Sequence, residues 1–158
     1  MKKSAFVAFA VLALFFASSR ELAAQSDVAL NIGVITDKSF SFNPFLWTTG
    51  LTFDFYLNPS LSISPEIYLT VHNSDFGTML MAPAVLLNFQ GYGFFVGGGI
   101  TKWWLLGSDV EGAPSTDIAL KFNVGLKGGG LKVTAFVITP FNNILQTAAV
   151  GATFGFYF

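Results

Sequence analysis

The chain has 158 residues, a formal net charge of −1, no cysteine and one histidine. Hydrophobic residues make up 53% of it and charged residues only 11%, against about 25% charged residues in an ordinary soluble domain. The absence of cysteine excludes a disulfide-stabilised fold, and no basic patch indicates a nucleic-acid partner. A chain of single-domain length with this much apolar surface needs an apolar environment.

The N-terminus has the three parts of a secretory signal peptide. Lys2 and Lys3 supply the positive start, an apolar stretch covers residues 5–17, and small residues precede Gln25. We predict cleavage after Ala24, with a second small-residue site at residues 17–19. The predicted organisation is therefore a signal peptide over residues 1–24 and one domain over residues 25–158.

The rest of the chain alternates apolar and polar residues, which favours β-strands. It contains no apolar run of about 18 residues that would form a membrane-spanning helix; its densest stretch, residues 79–89, is short and contains Pro83. Strands in a bilayer must close into a barrel, because an open edge would leave backbone groups unpaired in lipid. We predict eight strands, at residues 27–37, 47–57, 61–72, 79–89, 94–104, 117–125, 131–139 and 148–158.

The connections between the predicted strands alternate in length. Short turns follow strands two, four and six, whereas longer segments cover residues 38–46, 73–78, 105–116 and 140–146, as expected of outer-membrane barrels with short periplasmic turns. The alternative is a soluble lipocalin-like barrel, whose apolar residues would line the cavity. Here the apolar faces would overfill so narrow a lumen. The predicted fold class is therefore all-β, an eight-stranded antiparallel up-and-down transmembrane β-barrel.

The C-terminus resembles the signal by which outer-membrane barrels are recognised for insertion. It ends in Phe158, with Phe156 and Phe154 at alternate positions before it. The whole domain is similar to small eight-stranded porin-like barrels of the OmpW, OmpX and OmpA-transmembrane type. This resemblance implies a bacterial outer-membrane location. It also implies a monomer or weak oligomer whose partners are outer-membrane lipid, the barrel insertion machinery and periplasmic chaperones.

The candidate functional residues are the polar side chains that alternation directs into the lumen. Charge in a narrow lumen is costly unless it is paired or wet. We expect Glu66 and Lys121 at similar height, with Asp54 slightly lower. One interpretation is a carboxylate and lysine network that plugs the barrel, and the other is a narrow polar path. The predicted lumen network comprises Asp54, Glu66, Lys121 and Lys132, with His72, Trp103 and Asp117 in the upper lumen or at its rim.

The favoured activity is passive transport of small, apolar solutes through a narrow porin-like channel. Strand four directs Leu80, Ala82, Ala84 and Leu86 inward, which is similar to the hydrophobic channel of OmpW-type barrels. Glycines on facing strands would leave room either for a path or for large aromatic side chains. The alternative is a plugged barrel with a structural or surface-adhesion role, as in OmpX-like barrels.

An enzyme is the least favoured function. Residues 72–75 loosely resemble the His-x-Ser-Asn element of the lipid A 3-O-deacylase family, which would make His72 a base and Ser74 a nucleophile. Alternation directs His72 to the lumen, however, and Leu86 falls where that family has an acid. The sequence has one histidine, no cysteine and no phosphate-binding loop, so it predicts neither a metal site nor a nucleotide site. We predict a non-enzymatic protein without a cofactor.

Overall fold

The computed structural model describes residues 26–37, 46–72, 75–107, 116–141 and 148–158. The predicted signal peptide, most of three predicted external loops, residues 73 and 74 of the loop over residues 73–78, and the side chain of His72 lie outside this part of the chain. The described residues form strands that we number β1 to β9 in chain order. These are β1 Ser26–Asp37, β2 Leu46–Asn58, β3 Leu61–His72, β4 Asp75–Gly91, β5 Phe94–Thr101, β6 Trp104–Gly107, β7 Ala119–Gly128, β8 Leu131–Pro140 and β9 Ala149–Tyr157.

The strands form one closed antiparallel sheet. β1 to β5 pair in chain order, β5 pairs with β7, and β7 to β9 again pair in chain order. β9 pairs with β1, and the pairing of β3 with β4 completes the ring. β5 and β6 both pair with β4 and together make a single wall strand. The predicted eight-stranded up-and-down barrel is therefore confirmed. Closure leaves no free sheet edge, which is the condition for placing a sheet in lipid.

The interruption between β5 and β6 has a local cause in β4. The predicted fifth strand is continuous over residues 94–104, but its regular pairing stops at Lys102 and Trp103, opposite Pro83. The Lys102 amide donates to the Pro83 carbonyl at 3.3 Å. Proline has no N–H to return that bond, so the ladder is broken on one side. The register resumes where Trp104 pairs with Met81.

Alternation along the strands separates the two surfaces of the barrel wall. In β3, Ser62, Ser64 and Glu66 are buried, while Ile63 and Ile67 are exposed. The same period-two pattern holds around the ring, because successive side chains of a strand point to opposite faces. Large apolar side chains thus cover the outer surface; they include Leu30, Ile32, Trp47, Leu69, Val85, Leu87, Val96, Ile100, Phe122, Val124, Val133 and Phe154.

Two boundaries differ from the sequence prediction. β4 begins at Asp75, so part of the predicted loop over residues 73–78 is strand, and the register shifts next to Val71. Lys127 was predicted in a turn but belongs to β7, and the turn itself is Gly129 and Gly130, with φ of 60° and 79°. Such backbone angles favour glycine.

Across the described residues, no helix has both the length and the apolar character needed to span a membrane.

Candidate functional site

The lower half of the lumen contains a buried ion pair, which we call the lower pair. Lys132 donates to both carboxylate oxygens of Asp54, at 2.9 and 3.2 Å. Ser64 Oγ donates to the same carboxylate at 2.5 Å and Tyr157 Oη at 2.8 Å, while Asn88 donates to Ser64 Oγ at 2.7 Å. Three donor atoms, from β3, β8 and β9, therefore hold one carboxylate of β2. A fourth donor, from β4, supports this arrangement through Ser64.

A second buried pair lies nearer the opposite end of the lumen, and we call it the upper pair. Lys121 donates to Glu66, and both side chains are at most 5% exposed. The Lys121 ammonium also lies 4.5 Å from the ring centroid of Tyr68 and 4.4 Å from that of Phe136. Aromatic faces attract a cation at such distances. The upper pair thus lacks the hydroxyl donors of the lower pair among the described residues, and its two rings lie closer to the ammonium than Phe95 and Tyr157 lie to Lys132, at 5.0 and 5.8 Å.

The four charged residues predicted to line the lumen are thus all placed inside the barrel, but as two pairs rather than one network. Trp103 packs against the apolar side chains at the top of the lumen, and Asp117 is exposed before β7. His72 ends β3, and its side chain lies outside the described residues. Among the described residues, no group of three histidine, cysteine or acidic side chains could hold a metal ion.

Glycines on the facing strands make room for aromatic rings. A Cβ atom on Gly151 would lie 2.2 Å from Phe136 Cζ, and one on Gly125 would lie 2.5 Å from Phe95 Cζ. Real Cβ contacts are never that short, so each glycine is needed for its ring to lie across the lumen. Phe136 covers the upper pair and Phe95 lies 5.0 Å from the Lys132 ammonium. The glycines therefore make room for rings that fill the lumen, and they do not leave it wider.

Buried amide oxygens also lie over glycines. The Oδ1 atoms of Asn88 and Asn123 approach Gly97 from its two neighbouring strands, and Asn31 Oδ1 approaches Gly155. None of these three oxygens has a conventional hydrogen-bond partner among the residues described. Each oxygen lies over a glycine, where the glycine Cα–H can donate a weak hydrogen bond to it; such contacts recur between β-strands. The waist between the two pairs is thus packed by amides as well as by rings.

The end of the barrel that carries the short turns has a network that the sequence did not reveal. Tyr56 donates to Asp27, and the Lys127 ammonium lies 3.3 Å from Tyr56 Oη, 4.6 Å from the Tyr56 ring and in contact with Gln90. These residues come from β1, β2, β7 and β4, so they cross the opening. Assigning Lys127 to a turn concealed its inward direction.

Apolar side chains line one side of the lumen near the upper pair and above it. Ile35, Ala119, Phe136 and Ile138 form a buried cluster against which Trp103 packs. Leu86, Ala84 and Ala82 of β4 are also buried, each at most 6% exposed, and lie inward as the sequence predicted. The other side is polar, since Thr70, four residues beyond Glu66 on β3, is buried and donates to Thr48 at 3.1 Å. The upper lumen thus has an apolar side and a hydroxyl-lined side.

The solved structures to which the chain is similar share its barrel. The N-terminal β-barrel domain of Pseudomonas aeruginosa OprF matches with a TM-score of 0.52 and 15% identity, over 85% of this chain and 98% of that one. A designed transmembrane β-barrel matches with a TM-score of 0.53 and 8% identity, over 84% and 95%. A second design, TMB2.3, matches with a TM-score of 0.51 and 11% identity, over 83% and 93%.

These identities are low, so the likeness shows the fold alone. The predicted resemblance to small eight-stranded outer-membrane barrels is confirmed at that level, and the subfamily is not specified. No protein-family profile and no curated protein matches the chain.

Proposed function

We propose that this protein is an integral outer-membrane barrel whose lumen is closed by its own side chains, and that its role is structural or lies at its cell-surface loops. The observation that carries the proposal is the closure of the lumen at two heights. Lys121 and Lys132 are 3% and 4% exposed, and their carboxylate partners at most 7%. A solute would have to displace both pairs and the rings of Phe95 and Phe136.

The apolar outer surface supports the membrane location. Alternate positions of the last strand, Phe154, Phe156 and Phe158, are 42%, 49% and 80% exposed. Exposed apolar area on this scale is unfavourable in water at roughly 25 cal/mol per Å², and it is compatible with lipid. Export through a cleaved signal peptide, and insertion assisted by periplasmic chaperones and the barrel insertion machinery, belong to the same proposal. The proposed role involves no catalysis and no cofactor.

Single-channel recording in planar bilayers tests the closed lumen. Protein purified from the outer-membrane fraction of cells expressing the full chain should give no discrete openings, although its heat-modifiable mobility shows that it is folded. Lys121→Ala should also remain silent, because the lower pair still closes the barrel. Discrete openings of the wild type, altered by Lys121→Ala, would overturn the proposal and support the channel predicted from the sequence.

A channel or pocket for small apolar solutes is the second candidate function, and the apolar cluster on one side of the upper lumen favours it. A solute that entered above the upper pair would contact Phe136, Ile138 and Trp103. Quenching of tryptophan fluorescence by a brominated apolar solute tests this candidate. Trp47 lies on the outer surface, so Trp47→Phe is the control. Quenching that is lost in Trp103→Phe but retained in Trp47→Phe would support such a pocket.

A further inference from the structure

Lys102 is an exception on the outer surface of the barrel. It follows Thr101, which is 3% exposed and lies inward, so alternation directs Lys102 outward with Ile100. Among the side chains that the structure describes, Lys102 is the charged side chain that lies on the outer surface of the barrel wall. All the others lie in the lumen or at its two ends. A charge on the lipid face therefore needs an explanation.

The position of Lys102 places it near the upper edge of the apolar band. Phe94 begins β5 at the periplasmic end, and eight residues of a strand tilted by about 40° rise roughly 20 Å along the barrel axis. The outward apolar band of such barrels is about 25 Å tall. The four-carbon stem of lysine can carry its ammonium the remaining distance to the headgroups.

The Lys102 ammonium has little to balance its charge within the described part of the chain. Its recorded contact there is with the ring of Trp104, 5.7 Å from the centroid. The two ion pairs among the described residues belong to Lys121 and Lys132. An ammonium next to the membrane interface with an aromatic ring beside it is complementary to an anionic headgroup.

An apolar depression lies below Lys102 on the same face. It is lined by the outward side chains of Val96, Phe122, Val124 and Ala135. Gly98, between Val96 and Ile100 on β5, allows the Phe122 ring to lie against the wall, because a Cβ there would be 3.2 Å from the ring. Along β5, Lys102 is four residues, or roughly 13 Å, from Gly98, which pairs with Phe122 at the upper edge of the depression. It is six residues, or roughly 20 Å, from Val96 at the lower edge. One acyl chain can therefore reach the depression.

We propose that Lys102 and this depression form a docking site for a single class of ligand, a lipid of the outer leaflet with a phosphate headgroup. The phosphate binds the Lys102 ammonium beside Trp104, and an acyl chain follows β5 down to Ala135. The proposal rests on the proposed placement of the barrel in the outer membrane. On this proposal one side of the barrel binds lipid specifically. Without such a site, the outer surface would contact lipid equally on all sides.

The headgroup part is tested with lipid A that carries its phosphates and with lipid A that has been dephosphorylated. Each is titrated into delipidated protein in detergent, and native mass spectrometry measures the bound lipid. The wild type should prefer the phosphorylated form by about tenfold, the worth of one charge-assisted hydrogen bond. Lys102→Gln should lose this preference and Lys102→Arg should keep it. A preference that survives in Lys102→Gln, or its absence in the wild type, would overturn the proposal.

The acyl-chain part has its own matched pair of variants. Ala135→Phe fills the depression and should weaken binding of both forms of lipid A severalfold. Ile32→Phe places the same ring elsewhere on the outer surface and should leave binding unchanged. Equal binding by the two variants would refute the acyl-chain contact. A folded, heat-modifiable barrel without lipid preference refutes this site alone, whereas absence of a folded barrel from the outer-membrane fraction refutes the proposed function.

Discussion

The two buried ion pairs solve the same problem by different means. The Asp54 carboxylate of the lower pair accepts hydrogen bonds from Lys132, Ser64 and Tyr157. The Glu66 carboxylate of the upper pair has Lys121 as its recorded donor among the described residues, and two aromatic rings flank the ammonium. Rings also lie near the Lys132 ammonium, but at 5.0 and 5.8 Å they are farther from it than the rings near Lys121 are. The lower pair thus has more donors at its anion, and the upper pair has closer rings at its cation. Removal of the anion should therefore have different consequences at the two heights.

Asp54→Ala should have the largest effect on stability. It leaves the Lys132 ammonium buried without its partner and removes the acceptor for two hydroxyl groups. Loss of one partner of a buried pair costs about 3–5 kcal/mol. Urea unfolding in lipid vesicles, followed by tryptophan fluorescence, measures the change. Asp117→Ala, the same substitution at an exposed position, should change the free energy of unfolding by less than about 0.5 kcal/mol.

Glu66→Ala should destabilise the barrel less than Asp54→Ala does. The faces of Tyr68 and Phe136 continue to attract the Lys121 ammonium from a shorter distance than Phe95 and Tyr157 attract Lys132, and such contacts contribute about 1–2 kcal/mol when they are desolvated. Glu66→Ala also removes the acceptor of no hydroxyl group that the structure shows bound to it. The expected loss is therefore about 2–3 kcal/mol, measured by the same unfolding assay. A loss equal to that of Asp54→Ala would contradict the stabilising role of the rings. Glu66→Ala combined with Phe136→Leu should remove part of that protection.

Gly151→Ala should have a smaller effect, confined to the upper pair. The added methyl would collide with the Phe136 ring, and overpacking of this kind costs about 1–3 kcal/mol. Gly128→Ala is the matched control, because no atom lies within 4 Å of the position its Cβ would take. Equal unfolding free energies for these two variants would show that the ring does not need the glycine.

Most of the correct sequence predictions came from the alternation of apolar and polar residues. A period of two determines which side of the wall a residue occupies, so the inward direction of Asp54, Glu66, Lys121 and Lys132 follows without knowledge of the register. The pairing of Asp54 with Lys132 does not follow. It depends on how far the strands are staggered around the ring, and no local pattern encodes that.

The remaining differences arise from single residues that act across strands. The break after Thr101 depends on Pro83 of the neighbouring strand, and only the register brings them together. The role of Gly151 likewise depends on the ring of Phe136. Sequence left open whether lumen glycines widen a path or admit aromatic side chains, because both need a small residue. The contacts of Gly125 and Gly151 favour the second interpretation.

The most direct test of the closed lumen is chemical access to the waist between the two pairs. The chain has no cysteine, so an introduced thiol is the sole reactive group of its kind. Thr134 faces the waist and is 6% exposed, whereas Tyr92 is fully exposed at the β4 to β5 turn. In the folded barrel, Thr134→Cys should react with a small water-soluble thiol reagent at least about a hundredfold more slowly than Tyr92→Cys, as a barrier of about 3 kcal/mol predicts. Equal rates would show that water and solutes pass the pairs, and would contradict the closed lumen.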